Sequence, residues 1–389
     1  MNRRKVVHVI TRLDFGGAQQ NTLWTTQNLD PKKWEVILIC GKGGFLESAG
    51  IEASQKSGFR LFFIPSLRRE INPFYDLIAC VRLILFFLKE KPDLVHTHSS
   101  KAGILGRIAA WVAGVKIIVH TYHGFGFHDR QNSLVKKIYV ILERFCARVS
   151  AALVFVSRAN WNYAFQNGIG PESRFHLIRS GVDLSRFPAV VKDPGLKKKE
   201  LGFGVDNPLI ISIGNLKPQK NPSDFLELAA EILKNFPEAR FLFIGDGPLR
   251  ADVQRQIAGL GLDQKIKLLG WRKDAAEWLS VADVFVLTSL WEGLPRSLVE
   301  AMKSGLPCVA YAVDGICDLI QDGENGYLAP IKNVKVLSEK VSLLLKNSIL
   351  RENMARRATA SITEEFDITG MVNAQERLYL ELLNATSRA

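Results

Sequence analysis

Residues 284–302 read VFVLTSLWEGLPRSLVEAM, and this stretch decides the fold class. Its first five residues, 284–288, form the short apolar run that is typical of a buried parallel strand. Gly293, Leu294 and Pro295 follow and predict a turn. The apolar spacing after the turn is helical. One strand, one turn and one helix in this order are the repeating unit of an α/β sheet.

The same unit recurs along the chain. Apolar runs alternating with helical patterns predict strands at 6–10, 34–40, 59–64, 93–96, 116–120 and 153–157, and again at 208–213, 240–244, 265–269, 284–288 and 307–311. A chain of 389 residues also exceeds the usual size of a single core. We therefore expect two doubly wound α/β domains, at 1–186 and 208–366. The segment 187–207, with two prolines and a run of three lysines, is typical of a linker.

Charge is divided unequally between the two halves. The net charge is +12; residues 1–186 carry 26 Lys and Arg against 13 Asp and Glu, and residues 187–389 carry 25 against 26. This excess indicates either uneven solubility charge or a partner that is anionic lipid or nucleic acid. The most apolar segment, 74–88, is too short to span a bilayer, and we favour a packed helix there over an interfacial membrane contact.

Two strand-to-helix turns carry groups that suit a phosphate. Gly16 and Gly17 follow the first strand, where glycines let backbone amides approach an anion, although many such turns are only tight turns. Lys217 and Lys220 follow the first strand of the second half. There a lysine either neutralises phosphate or remains a solvated loop charge.

Residues 284–302 add a helix start and two carboxylates. The amides around Ser297 and Leu298 can hold a diphosphate. Glu300, two turns inside the helix, can accept hydrogen bonds from ribose hydroxyls, and Glu292 faces the far end of such a ligand. The alternative is an ordinary capped helix that carries two acidic residues.

The histidines are clustered in the first half. All seven lie before residue 187, and His96, His98, His120, His123 and His128 fall within 33 positions. Their HxH and HxxH spacings suggest a metal site. However, two of them end predicted buried strands, and no Asp or Glu occurs between Asp93 and Asp129. We therefore expect no metal.

With these motifs in order, the sequence resembles the retaining glycosyltransferases of family 4, which have the GT-B fold. The motifs are the glycine turn at 16–17, DLVHTH at 93–98, TYHG at 121–124, GDGP at 245–248 and a Glu-x7-Glu pair at 292 and 300. The run HTHSSKAG at 96–103, with 120–127, is similar to the branch that makes bacterial capsule, O-antigen and exopolysaccharide repeat units. The resemblance covers nearly the whole chain.

The resemblance implies two Rossmann-like domains facing a cleft. The first, 1–186, would bind the acceptor, the second, 208–366, the nucleotide sugar, and a C-terminal helix at 367–389 would cross back to the first domain. Among the catalytic positions, Glu292 would bind hydroxyls of the transferred sugar, Lys220 would neutralise the diphosphate, and His123 would lie near the reacting sugar. The substrate-binding positions that it implies are Gly16, Gly17, Asn215, Gly245, Arg272, Gly293, Leu294, Ser297, Leu298 and Glu300.

One position departs from the family. An arginine usually stands where this chain has Asn215, which leaves Lys220, with Lys217, as the main cation. The resemblance implies front-face attack, in which the leaving phosphate helps to deprotonate the acceptor hydroxyl. For such chemistry the protein must orient the substrates and stabilise the charge on the leaving phosphate, and it needs no nucleophile of its own. We expect a UDP-sugar donor, no cofactor and no metal.

Charge and resemblance together predict the partners. A polyprenyl-diphosphate-linked acceptor in an anionic membrane would account for the basic first half, where Lys136, Lys137, Arg144 and Arg148 recur with apolar residues in a helical pattern. We expect a cytoplasmic enzyme, peripheral on the inner face of the membrane, with no nucleic-acid partner. The alternatives are a GT-B-type epimerase of nucleotide sugars and, less favoured, a basic nucleic-acid-binding protein.

Overall fold

The computed structural model describes residues 3–125, 133–188, 191 and 193–388. The chain forms two compact units: unit 1 comprises Met1–Gly181 and Asp367–Ala389, and unit 2 comprises Val182–Phe366. Each unit contains one sheet whose strands are all parallel, with helices packed against it. The predicted pair of doubly wound α/β sheets is therefore confirmed.

Unit 1 contains a seven-stranded sheet. Its strands are β1 (Arg4–Arg12), β2 (Trp34–Gly41), β3 (Arg60–Phe63), β4 (Leu94–His98), β5 (Ile117–Tyr122), β6 (Ala152–Phe155) and β7 (Phe175–Leu177). Its first six helices are α1 (Gly17–Asn28), α2 (Glu47–Ser57), α3 (Pro73–Glu90), α4 (Ser100–Val112), α5 (Ser133–Arg148) and α6 (Arg158–Gln166). The strand order is β3-β2-β1-β4-β5-β6-β7. The order reverses between β1 and β4, and ligands of α/β sheets bind at such switch points.

The sheet of unit 1 is buried on both faces, which explains its continuous apolar strands. Val6 and Ile10 of β1 belong to one core, with residues of α1 and α2. Val7 and Val9 belong to the core on the other face, with residues of α3 and α4. A strand covered on both faces has no polar alternation, because both sets of side chains leave water.

A buried ion pair ties α4, β5 and α5 together. Arg107 Nη2 donates to Glu143 Oε2 at 2.6 Å, and the Tyr122 hydroxyl donates to the same oxygen at 2.7 Å. The side chains of Arg107 and Glu143 are 0% and 1% exposed. Removing one partner of such a pair would leave an uncompensated charge in the core.

Unit 2 repeats the design with six strands. They are β8 (Leu209–Ile213), β9 (Arg240–Ile244), β10 (Ile266–Gly270), β11 (Val284–Leu287), β12 (Cys308–Tyr311) and β13 (Tyr327–Ala329). Its helices are α7 (Pro194–Lys199), α8 (Pro222–Leu233), α9 (Arg250–Gly259), α10 (Ala275–Val281), α11 (Arg296–Lys303), α12 (Val334–Lys346) and α13 (Ser348–Ser361). The strand order is β10-β9-β8-β11-β12-β13. The switch point therefore lies between β8 and β11.

The structure differs from the predicted linker at 187–207. This segment belongs to unit 2, whose first residue is Val182, and it contains helix α7. Lys197 of the lysine run is buried and donates to Asp274 Oδ2 at 2.8 Å, and Lys198 donates to the Asn207 carbonyl at 2.9 Å. The lysines look like linker charges in sequence, but Lys197 bonds to a distant segment of unit 2, and Lys198 bonds to the end of its own segment.

The last helix, α14 (Ile368–Arg388), belongs to unit 1, as the resemblance implies. Met371 and Tyr379 join the core on the face of the sheet that α1 and α2 cover. Trp34 Nε1 donates to Glu376 Oε1 at 3.0 Å. No helix among the residues described is long and apolar enough to cross a membrane.

Candidate functional site

Two loops are fastened together at the switch point of unit 2. The loop after β8 contains Gln219 and Lys220, and the loop after β11 contains Thr288, Leu290 and Trp291. Leu290 N donates to the Gln219 carbonyl at 2.8 Å, and Gln219 Nε2 donates to the Trp291 carbonyl at 2.7 Å. Thr288 Oγ1 donates to the Lys220 carbonyl at 3.0 Å. These bonds fix the position of Lys220 relative to the second loop.

Lys220 and Glu292, both predicted as catalytic, form an ion pair at this point. Lys220 Nζ donates to Glu292 Oε1, and the two side chains are 12% and 8% exposed. The backbone N of Glu292 donates to Asp314 Oδ2 at 2.8 Å, and this bond fixes the backbone position of Glu292. Asp314 has a φ of +35°, a backbone conformation that non-glycine residues rarely adopt and that concentrates at functional sites.

The ion pair has a direct chemical consequence. A largely buried ammonium held by one carboxylate is a ready counter-ion for phosphate, because a diphosphate offers more negative charge than the carboxylate does. The Glu292 oxygens would then accept hydrogen bonds from hydroxyl groups. Sequence reasoning named both residues but did not predict their pairing, and it missed Gln219, Thr288 and Asp314.

Helix α11 carries the other predicted carboxylate. Glu300 Oε1 lies 3.8 Å from Arg296 Nη2, and burial raises the pKa of Glu300 while Arg296 and Arg186 act against that rise. The helix begins at Arg296, and Leu298 N donates to the Pro295 carbonyl at 3.1 Å. The Leu298 amide, predicted as a diphosphate donor, is thus already bonded within the first turn. Arg296 was missed, although its i,i+4 spacing to Glu300 is a readable signal.

The other predicted residues of this helix start are close by in the chain. Gly293 and Leu294 are buried in the turn that precedes α11, and Ser297 lies partly buried in its first turn. They share a rigid strand-to-helix turn whose helix N-terminus favours negative charge.

Gly245 lets the loops after β8 and β9 approach closely. Its φ is +144°, and a Cβ atom there would lie 1.8 Å from the Gly214 carbonyl oxygen. Its amide donates to the Gly270 carbonyl at 2.8 Å. Neighbouring Asn215 accepts a hydrogen bond from Lys217 N at 2.9 Å through its own carbonyl. The structure thus gives Gly245 a packing role beside the implied binding role.

Arg272, one of the implied substrate-binding positions, is bound to a carboxylate in this structure. Its Nε and Nη2 both donate to Asp274 at 2.7 Å, a bidentate arrangement. Asp274 also accepts from Lys197, and these partners hold the pKa of its carboxyl well below the usual range. The guanidinium is therefore held in one orientation beside the end of β10.

In unit 1 the glycine turn lies at the switch point. Helix α1 begins at Gly17 with Gly16 as its N-cap, and a Cβ atom on Gly16 would lie 2.7 Å from Gln19 Oε1. The end of β1 is joined to the residue after β4 by a hydrogen bond of 2.9 Å between Thr11 Oγ1 and Ser99 Oγ. The turn is thus in the place where a βα unit binds an anion.

A group of buried histidines lies in the same sheet, on β1, β4 and just after β5. His8 of β1 faces His96 of β4 in the sheet register. His8 Nδ1 and His98 Nε2 are 3.0 Å apart, and His98 Nδ1 and His123 Nε2 are 3.2 Å apart. Sequence reasoning missed His8 because it stands far from the other histidines in the chain. His128, counted with that cluster, lies outside the described residues.

Three of these rings could face a cation. Ligand atoms of His8, His96 and His98 lie within 4.8 Å of one another. However, both ring nitrogens of His96 are hydrogen-bonded, to Tyr379 at 2.5 Å and to Thr121 at 2.7 Å. Both nitrogens of His98 are also engaged in ring-to-ring hydrogen bonds. A cation would have to displace these bonds, so the histidines suit a metal poorly, and the expectation of a metal-independent site stays a prediction.

Two doubly wound units, with a lysine–carboxylate pair at one switch point and a glycine turn beside histidines at the other, define a class of protein: a glycosyltransferase of the GT-B fold. Residues 15–186 match the model of Glycosyltransferase Family 4, and residues 195–361 match that of Glycosyl transferases group 1. The chain belongs to glycosyltransferase family 4.

Relatives and solved structures agree with this assignment. The chain is 33% identical over 382 residues, 97% of each chain, to the Escherichia coli UDP-Gal:alpha-D-GlcNAc-diphosphoundecaprenol alpha-1,3-galactosyltransferase. It is 29% identical over 343 residues, 85% of this chain and 87% of the relative, to the Campylobacter jejuni N,N'-diacetylbacillosaminyl-diphospho-undecaprenol alpha-1,3-N-acetylgalactosaminyltransferase. Anabaena HepE, solved in complex with UDP and glucose, shares the fold with a TM-score of 0.83 at 19% identity, over 97% of this chain and 100% of that one.

Proposed function

We propose that this enzyme transfers a hexose, with retention of anomeric configuration, from a UDP-sugar to a sugar carried on a polyprenyl diphosphate, in the synthesis of a bacterial cell-surface polysaccharide. The observation that carries the proposed chemistry is the Lys220–Glu292 pair at the switch point of unit 2. The substrate class is supported by the Escherichia coli relative, whose name specifies UDP-Gal and a diphosphoundecaprenol-linked GlcNAc.

The donor's diphosphate exchanges places with Glu292 at Lys220. In the structure the Lys220 ammonium is paired with the Glu292 carboxylate. When the nucleotide sugar binds, Lys220 turns to the diphosphate, and Glu292 accepts hydrogen bonds from the hydroxyls of the transferred sugar. Glu300 binds the ribose, with Arg296 3.8 Å away to favour its ionised form. This exchange supplies charge to the leaving group without a metal or other cofactor.

The acceptor is bound by unit 1, which also carries the excess charge. Unit 1 contains 27 Lys and Arg against 15 Asp and Glu, and unit 2 contains 24 of each. The net charge of +12 therefore resides entirely in unit 1. A surface of this sign attracts the diphosphate of the acceptor and the anionic lipids around it.

Unit 1 also exposes apolar side chains on three neighbouring helices. Helix α3 buries Ala79, Leu83 and Phe87, as expected of a packed helix, and leaves its opposite side apolar as well. The exposed residues of this side are Phe74, Leu77, Val81, Leu85 and Leu88, and those of α5 are Leu134, Val135, Ile138, Ile141 and Phe145. Trp111 of α4 contacts Phe145 at a ring distance of 5.8 Å, and α4 packs against both α3 and α5. We call these residues the apolar face.

The apolar face supports a peripheral attachment to the inner face of the cytoplasmic membrane. Exposed apolar rows larger than those of an ordinary surface indicate a protein or membrane contact. Lys137, Arg144 and Arg148 of α5 are exposed as well. Arg144 Nε donates to the Asn167 carbonyl, and Lys136 lies over the Tyr163 ring. The combination of apolar rows and basic residues fits anionic lipid better than nucleic acid, which would select charge alone.

Donor binding is tested by thermal shift against UDP, GDP, ADP, CMP and dTDP, with and without Mg²⁺. We expect selective stabilisation by UDP that EDTA does not remove. Lys220→Met should abolish this shift, and Lys217→Met, which removes the same charge three residues earlier, should keep most of it. Transfer of radiolabelled sugar to a polyprenyl-diphosphate acceptor then tests the reaction. Turnover of UDP-GlcNAc without acceptor would instead favour an epimerase.

Membrane attachment is tested with vesicles. The pair Leu77→Gln and Leu85→Gln should lower binding to vesicles containing phosphatidylglycerol at least about tenfold, since each buried leucine contributes about 1.5–3 kcal/mol. The matched control is Leu260→Gln with Ile349→Gln, which removes two exposed apolar side chains from unit 2. Equal losses in the two variants, or binding to oligonucleotides in preference to vesicles, would contradict the membrane proposal.

A further inference from the structure

Three histidines of unit 1 form one continuous chain of hydrogen bonds. His8 Nδ1 lies 3.0 Å from His98 Nε2, and His98 Nδ1 lies 3.2 Å from His123 Nε2. The rings of His8 and His98 are stacked, with an interplanar angle of 12°. His8 and His98 are fully buried, and His123 is the partly buried member at the end of β5.

The chain ends at the two remaining ring nitrogens. Among the described residues, His8 Nε2 and His123 Nδ1 are both buried without a hydrogen-bond partner. His96 lies close to His98 but does not join the chain, because its two nitrogens bond to Tyr379 and Thr121. The three-ring chain therefore has one end in the core and the other at the histidine that the family resemblance places near the reacting sugar.

Proton counting restricts this chain to two states. A neutral imidazole has one N–H donor and one acceptor nitrogen. If His8 donates from Nδ1, His98 accepts at Nε2 and must donate from Nδ1, so His123 accepts at Nε2 and carries its proton on Nδ1. If the direction is reversed, all three rings carry the proton on Nε2. The geometry permits no mixed set of tautomers while both bonds are kept.

The rings are neutral near pH 7, which this counting requires. Burial lowers the pKa of His8 to about 3 and that of His123 to about 4, and it lowers the pKa of His98 well below the ordinary value. A protonated imidazole carries N–H groups on both ring nitrogens. Within the chain one of them would face another N–H group or the core without an acceptor, so the charged form is disfavoured.

We propose that His98, and behind it His8, are positioning residues for His123: the two ring-to-ring hydrogen bonds lock the three imidazoles into a single shared tautomer and orient Nδ1 of His123 toward a hydroxyl of the acceptor sugar that unit 1 binds. This inference rests on the proposed function for the identity of the ligand. It gives His123 an orienting role as a neutral hydrogen-bonding group, in keeping with a transfer in which the leaving phosphate receives the acceptor's proton.

The first test separates the two bonds of His98. An asparagine places its amide where Nδ1 of a histidine stands, and a glutamine places its amide where Nε2 stands. His98→Asn therefore keeps the contact to His123, whereas His98→Gln keeps the contact to His8 and loses that to His123. We expect His98→Gln to lower kcat at least about tenfold with KM for the donor nearly unchanged. His98→Asn loses the bond to His8 but keeps the direct contact to His123, so we expect it to lower kcat by only about threefold.

The matched control is another buried histidine of the same sheet. His120 bonds to Thr97 Oγ1 through Nδ1 at 2.9 Å and lies outside the chain. His120→Asn keeps that bond, and we expect it to change thermal stability more than kcat. Equal losses of kcat in His98→Gln and His98→Asn, or in His120→Asn, would overturn the positioning role.

The second test uses the wild-type protein and does not depend on activity. In spectra of ¹⁵N-labelled ring nitrogens, His8, His98 and His123 should all carry the proton on the same nitrogen, with assignments from His8→Phe, His98→Asn and His123→Gln. Mixed tautomers in the three rings would overturn the proposal even if transfer is observed. A shared tautomer in a protein without transferase activity would support the chain and reject only the proposed function.

Discussion

Acidification from pH 7 to pH 5 should destabilise unit 1 and leave unit 2 much less affected. All seven histidines lie in unit 1. Burial lowers the pKa of His8 from 6.5 to about 3 and that of His123 from 6.5 to about 4. Between pH 7 and pH 5 the histidines of the unfolded chain become protonated, whereas His8 and His123 in folded unit 1 stay neutral. The stability of unit 1 therefore rises with pH. The stabilisation is complete above pH 6.5 and is lost progressively as the pH falls towards 3–4.

The magnitude follows from the lowered pKa values of these two histidines. At pH 5 the pH is about 1.5 units below the pKa of a histidine in the unfolded chain. Protonation of that histidine therefore stabilises the unfolded chain by ~2 kcal/mol. The folded-state pKa values of His8 and His123 lie below pH 5, so neither ring is protonated in the native state. The native state therefore gains no matching stabilisation from proton binding. The two residues together should therefore remove ~4 kcal/mol, a large share of the ~5–15 kcal/mol of an ordinary domain.

Hydrogen exchange read by mass spectrometry measures this difference within one molecule. After correction for the intrinsic exchange rates, peptides from β1 and β4 report the opening free energy of unit 1, and peptides from β8 and β11 report that of unit 2. His8→Phe removes one of the titrating rings, so the loss on acidification should shrink by ~2 kcal/mol in that variant.

Unit 2 is the internal control, because it contains no histidine. A loss between pH 7 and 5 that is equal in both units would refute the reasoning. So would an undiminished loss in His8→Phe, because the destabilisation would then come from groups other than the buried ring.

Three other substitutions test the packing around the sites by urea or thermal unfolding. Gly245→Ala should destabilise unit 2 by more than ~2 kcal/mol, because its Cβ atom would meet a carbonyl oxygen at 1.8 Å; full stability would show that the loop relaxes at no cost. Glu143→Gln should cost ~3–5 kcal/mol, since it leaves Arg107 buried without its counter-charge. Its control, Glu52→Gln at an exposed ion pair, should cost less than ~1 kcal/mol, and similar costs for both would contradict the buried-pair argument. Tyr379→Phe should cost ~1–3 kcal/mol by leaving a ring nitrogen unpaired in the core; a loss below ~0.5 kcal/mol would show that the bond contributes little.

The prediction of the fold succeeded where the local pattern was long and strongly apolar. All eleven predicted strands are present within a few residues, and all but β3 and β10 are largely buried along their length. The strands that were missed, β7 and β13, have three residues each and lie at the edges of their sheets. A run of three residues shows no periodicity that distinguishes it from a loop.

The helix α3 shows a different limit of sequence reasoning. Its segment was predicted to be packed, and it is packed through Leu83 and Phe87. The same segment leaves Phe74, Leu77 and Leu85 more than 60% exposed. A helix that is apolar all round gives no sign of which side is covered, because its pattern has no polar side to mark the surface.

The sequence by itself determined the order of strands and helices, the family, and the placement of Lys220 and Glu292 just after two strands. These follow from local periodicity, turn residues and short motifs, which act over a few residues. The tertiary structure alone decided that Lys220 pairs with Glu292, 72 positions away, and that His8 completes a chain with His98 and His123. Both contacts depend on strand order and register: β8 lies beside β11, and β1 lies beside β4. Strand neighbours are chosen by the packing of the whole sheet, and no local pattern encodes that choice.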